Sequence, residues 1–132
     1  DLYRQQARPV LPLLQPGDRV LCVTGPGLRR YLAYQAPGVD FRNVFGSGMA
    51  AWRTMAAGFE GKESRLWVLG RSGEPLAPPV SLQYRFPEPY RRTQQAIETL
   101  SADWEIVLDG DVVLGRFGRK LRNTRKFMPP KR

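Results

Sequence analysis

Asp18-Arg19-Val20-Leu21-Cys22-Val23-Thr24-Gly25-Pro26-Gly27-Leu28-Arg29-Arg30-Tyr31-Leu32-Ala33-Tyr34 holds the clearest structural signal in this chain of 132 residues. The apolar run Val20 to Val23 meets the corner Gly25-Pro26-Gly27, then a helical pattern with Leu28, Tyr31, Leu32 and Gln35 on one face. Strand, tight turn and helix start form the opening unit of an α/β sheet. Such corners lie at the carboxyl edge of the sheet, where ligands usually bind. Pro16-Gly17-Asp18 is the turn that launches the strand, predicted over 19–24; Ala36-Pro37-Gly38 stops the helix, predicted over 27–35.

A second unit of the same kind follows. Val39, Phe41 and Val44 predict a short strand over 39–45, and Gly46-Ser47-Gly48 makes a second glycine corner. Met49, Trp52, Met55, Ala56 and Phe59 mark one face of a helix over 48–58, with Ser47 as its expected N-cap. Arg65-Leu66-Trp67-Val68-Leu69 is a third strand. Five of the twelve prolines fall in 74–89, which reads as an extended loop with one edge strand at 80–86. Tyr90, Thr93, Ile97 and Leu100 place a helix over 89–102, and Asp109-Gly110 between two apolar runs signals a hairpin. A short helix at 2–8 is also expected. The resulting fold class is α/β: a small three-layer, mostly parallel sheet with helices on its faces and a C-terminal antiparallel hairpin. Residues 1–16 read as a lead-in, 17–118 as one domain and 119–132 as a basic tail.

Composition narrows the chemistry. At 42% hydrophobic, the chain is globular, and no run of about 18 apolar residues is present. The opening at Asp1, with neither Met nor a signal-peptide pattern, reads as a piece of a longer protein. There is no His, which removes the commonest general base and metal ligand. One Cys makes neither an internal disulfide nor a Cys-based zinc site, and Cys22, inside an apolar run, reads as a buried structural thiol. The net charge of +9 comes from 17 Arg and 4 Lys against 12 acids. Guanidinium groups suit phosphate recognition, although a coding bias toward Arg produces the same excess.

The candidate ligand-binding residues are Thr24, Gly25, Gly27, Arg29, Ser47 and Arg71, which the α/β pattern can bring to one crevice. Helix-start amides can hold an anion there. The bland alternative is a turn that merely needs glycine: the stretch matches neither G-x-G-x-x-G nor a P-loop. Ser47 has no His to activate it, so no catalytic residue, metal or cofactor is assigned. Asp109 and Asp111 read as turn residues, Glu60 and Glu63 as solvated, and Trp52 and Trp67 as core. In the tail, Arg119, Lys120, Arg122, Arg125 and Lys126 are candidates for contact with lipid head groups or other phosphates, with Phe117, Phe127 and Met128 as interfacial anchors.

Pro16-Gly17-Asp18-Arg19-Val20-Leu21, the glycine corner, Tyr31-Leu32-Ala33-Tyr34, Arg65-Leu66-Trp67-Val68-Leu69 and the pair Trp104 to Leu108 and Val112 to Phe117 resemble a known family. It is the soluble C-terminal part of membrane-embedded glycosyltransferases, the dolichyl-phosphate-mannose-protein mannosyltransferase and aminoarabinose-transferase-like group. The resemblance spans residues 14–118. It implies an extramembrane, non-catalytic α/β domain on the extracytoplasmic side. Its partners would be the membrane part of the same polypeptide and, through its basic surface, anionic head groups or a polyprenyl-phosphate sugar. The family's catalytic acid lies in a loop between membrane helices that has no counterpart here, so no catalytic residue carries over. Two alternatives stand beside it: a stand-alone domain binding a nucleotide or sugar phosphate at the glycine corners, and a basic nucleic-acid-associated protein using residues 116–132.

Overall fold

A computed structural model describes residues 2–72 and 76–118. Among these residues, five strands form one sheet: β1 (Arg19–Cys22), β2 (Asp40–Asn43), β3 (Leu66–Arg71), β4 (Trp104–Asp109) and β5 (Val112–Phe117). Their order is β2-β1-β3-β5-β4. The sheet is mixed. β1 pairs in parallel with β2 and β3, whereas β5 pairs antiparallel with both β3 and β4. Parallel pairing is therefore confined to the first three strands, and the expected C-terminal hairpin adds the antiparallel half. Gly110 closes that hairpin, its N–H donating to the Val112 carbonyl at 3.1 Å.

Two crossover helices connect the parallel strands. α2 (Pro26–Gln35) joins β1 to β2, and α3 (Met49–Ala56) leads from β2 toward β3. Side chains alternate across the sheet with a period of two. Val20, Cys22, Trp67, Leu69, Val112 and Leu114 share one core with Leu28 and Leu32 of α2. Leu21, Val23, Leu66, Val68, Val113 and Phe117 share a second with Trp52 of α3 and with Ala96, Ile97 and Leu100 of α5 (Pro87–Leu100). The predicted helix face of Tyr90, Thr93, Ile97 and Leu100 is the buried face of α5. Both Trp52 and Trp67 are core residues as expected.

The short helix expected at 2–8 is α1 (Leu2–Ala7), and Ala7 and Val10 are buried in the α2 core. Several other local expectations change. The segment 80–86 is no edge strand, because Ser81–Arg85 form the short helix α4. β3 already pairs with β1 and β5 along its length, leaving only Arg71 to bridge Ala77. Gly48, not Ser47, is the N-cap of α3, and no side chain caps that helix. Glu63 is buried, not solvated; its Oε2 accepts from the Gly61 N–H at 2.8 Å. Phe117, expected as a membrane anchor, is 1% exposed within the core. The basic tail at 119–132 lies outside the described residues.

Candidate functional site

The strand order creates the site. From β1 the chain crosses to β2 on one side, then to β3 on the other. Ligand crevices of open α/β sheets form at such a reversal, outside the carboxyl ends of the two strands that diverge. Here those strands are β1 and β3. Thr24 and Gly25 follow β1, and Arg71 ends β3. A cleft of about 330 Å³ opens there. Its floor is Thr24 to Leu28, and its walls come from α1, Arg71 and the start of α4.

Four of the six predicted residues, Thr24, Gly25, Gly27 and Arg71, line this cleft. Arg29 and Ser47 do not. Arg29 lies one turn into α2, and its Nε is buried without a hydrogen-bond partner among the described residues. Ser47 belongs to the corner that leads into α3, the helix packed on the opposite face from α2. That second corner is engaged by α5: the Gly46 N–H donates to Thr93 Oγ1 at 2.7 Å, and Arg92 donates to the Gly46 carbonyl at 2.9 Å. Arg119, Lys120, Arg122, Arg125 and Lys126 lie outside the described residues.

At the cleft floor, α2 starts with Gly25 as N-cap and Pro26 in its first turn, and no side chain caps it. Pro26 has no N–H. The Gly27 and Leu28 amides are therefore the first-turn donors that lack an intrahelical acceptor. Thr24 is 4% exposed, and its Oγ1 has no hydrogen-bond partner among the described residues. A Cβ on Gly25 would meet nothing within 4 Å, so the backbone there is open to approach. A Cβ on Gly27 would instead collide with the Tyr3 hydroxyl. Glycine at 27 lets α1 close one side of the cleft. Gln6 and Ser81, which line the same cleft, were not singled out in the sequence; neither carries a motif, and only the packing of α1 and α4 brings them there.

Other reactive groups are silenced. Burial pushes the Cys22 thiol up to about 12, only partly offset by the positive charge of Arg29. Such a thiol is no nucleophile near neutral pH. Asp18 is buried, and its carboxylate is fully engaged. Oδ1 accepts from Arg65 Nε at 3.0 Å, and Oδ2 accepts from the Trp67 indole N–H and the Gln15 N–H, each at 3.0 Å. Among the described residues, no cluster of His, Cys, Asp or Glu could hold a metal ion, and no helix is long and apolar enough to cross a membrane. No family model matches the chain, and no curated protein or solved structure matches it significantly.

Proposed function

We propose that this chain is an extramembrane, non-catalytic domain of a membrane-embedded glycosyltransferase that uses a lipid-phosphate-linked sugar. One observation supports the reading above others. Two of the separated stretches that carry the family resemblance, Pro16-Gly17-Asp18 and Arg65-Leu66-Trp67, meet in a single hydrogen-bonded unit. Asp18 binds both Arg65 and Trp67, and Arg65 also donates to the Pro16 carbonyl. Gly17 has φ +91°, and its N–H donates to the Gly38 carbonyl at 2.9 Å. A residue with a Cβ is strained at that φ. The motif residues are thus the ones this packing requires, which argues against a chance scatter of common residues.

On this reading the domain is a three-layer α/β unit, with α1 and α2 covering one face of the sheet and α3 and α5 the other. It sits on the extracytoplasmic side against the membrane part of the same polypeptide, with its Arg-rich surface toward anionic head groups. Its work is to cap the membrane part and shape the path of the acceptor. The coding sequence upstream of Asp1 tests this. A series of about 20-residue apolar segments is expected; a start codon adjacent to Asp1 overturns it. In an enzyme containing both parts, charge reversal on the Arg-rich surface is expected to lower sugar transfer while leaving the isolated domain folded.

A further inference from the structure

We infer that the cleft at the start of α2 is a binding site for a phosphate group. The inference stands apart from the glycosyltransferase reading, since it rests only on this cleft. α2 runs for ten residues, and no side chain caps its start. The positive end of its dipole lies at the cleft floor, which Gly27 and Leu28 line with their first-turn amides. A second, independent observation marks the same place. Thr24 Oγ1 is buried and unpartnered in the cleft lining, although buried hydroxyls are almost always hydrogen-bonded. A ligand oxygen seated on the helix start would supply its missing partner.

The donor set identifies the ligand class. Arg71 brings a guanidinium from the end of β3, and among the described residues no carboxylate pairs with it. A hydroxyl, two amides and a guanidinium are contributed by the end of β1, the start of α2 and the end of β3. That arrangement suits the several oxygens of a tetrahedral phosphate better than the two coplanar oxygens of a carboxylate. Among the described residues, no carboxylate lines the cleft to repel an anion. The same phosphate chemistry can come from a soluble sugar phosphate or from a lipid head group.

Calorimetric titration of the full chain tests the site with three probes: inorganic phosphate, glucose 1-phosphate, and phosphatidylcholine vesicles containing phosphatidic acid, with pure phosphatidylcholine vesicles as blank. Saturable binding of at least one probe is expected, weakened about tenfold by Thr24→Val or by Arg71→Gln. Amide NMR shifts should concentrate at Gly25, Gly27 and Leu28. Binding of the soluble probes assigns a soluble ligand, and binding of the vesicles alone assigns a lipid head group; either supports the site. Arg71 is exposed, so Arg71→Gln still tests the site if Thr24→Val fails to fold. Failure of all three probes to bind overturns the inference. So does binding that neither substitution weakens.

Discussion

Thr24 shows how one side chain can carry a cost that its fold does not repay. Leaving a buried hydroxyl unpartnered costs about 1–3 kcal/mol. Thr24→Val keeps the shape and removes that cost. The variant is expected to unfold at a higher temperature than the parent in the absence of ligand, by about 1 kcal/mol of stability. A lower melting temperature for Thr24→Val would show that the hydroxyl has a partner in solution. Cys22 gives a second test at this scale. With its thiol pushed up to about 12 by burial, it should resist a thiol-reactive dye in the native protein at pH 8. One equivalent should react once the chain is unfolded in guanidinium. Prompt native labelling would contradict the burial of β1.

Between elements, two carboxylates join neighbouring strands with very different strength. Asp40 on β2 is half exposed and accepts from Arg19 of β1 and from Arg42. Exposed pairs of this kind contribute below about 1 kcal/mol. Asp18, by contrast, is buried and holds together the starts of β1 and β3. Asp18→Ala leaves the Trp67 indole N–H buried without its acceptor and is expected to cost about 3 kcal/mol in denaturant unfolding. The smaller effect has a distinct signature. Hydrogen bonding from Arg42, reinforced by Arg19, holds the Asp40 carboxyl below its usual range. Between its folded and unfolded values, the unfolded chain binds the proton and the native chain does not, so stability rises with pH there. The contribution is complete above about pH 5 and is lost as acid carries the group through its lowered folded value. Asp40→Asn should therefore match the parent's acid sensitivity less closely below about pH 4, showing a shallower loss of unfolding midpoint. Identical pH profiles for the two proteins would remove Asp40 from the edge-strand linkage.

Over the whole molecule, β3 is the hinge between two styles of pairing. It binds β1 in parallel and β5 antiparallel, while β2 and β4 form the two edges. Amides of β1 and β3 lie between paired strands and two cores, so their exchange needs the largest opening. They are expected to exchange at least about tenfold more slowly than those of β2 and β4 in native-state hydrogen exchange. Equal protection across all five strands would mean that the sheet opens only as one unit. The position of the cleft also belongs to this scale, since it depends on β2 and β3 leaving β1 in opposite directions.

Local chemistry was legible because each signal sits within a few residues. The apolar run at 20–23 with the corner at 25–27, the helix face from Tyr90 to Leu100, and the Asp109-Gly110 turn each specify an element through backbone and periodicity alone. Thr24, Gly25, Gly27 and Arg71 were nameable as candidates for the same reason. The proline-rich segment before α5 is not legible locally, because its state depends on whether a strand edge is open to it, which no local pattern records. Ser47 and Arg29 lie near glycine corners as the cleft residues do, yet the Ser47 corner feeds a helix on the opposite face of the sheet, and Arg29 sits a turn into α2, outside the cleft lining. Glu63 and Phe117 likewise owe their burial to contacts made far along the chain. The sequence by itself determined the elements and the donors available at the first corner, since propensity, turn chemistry and residue type are local. Only the tertiary structure decided the strand order, the partners of Asp18 and the burial of an unpartnered Thr24 hydroxyl, since each depends on surfaces that residues distant in sequence bring together.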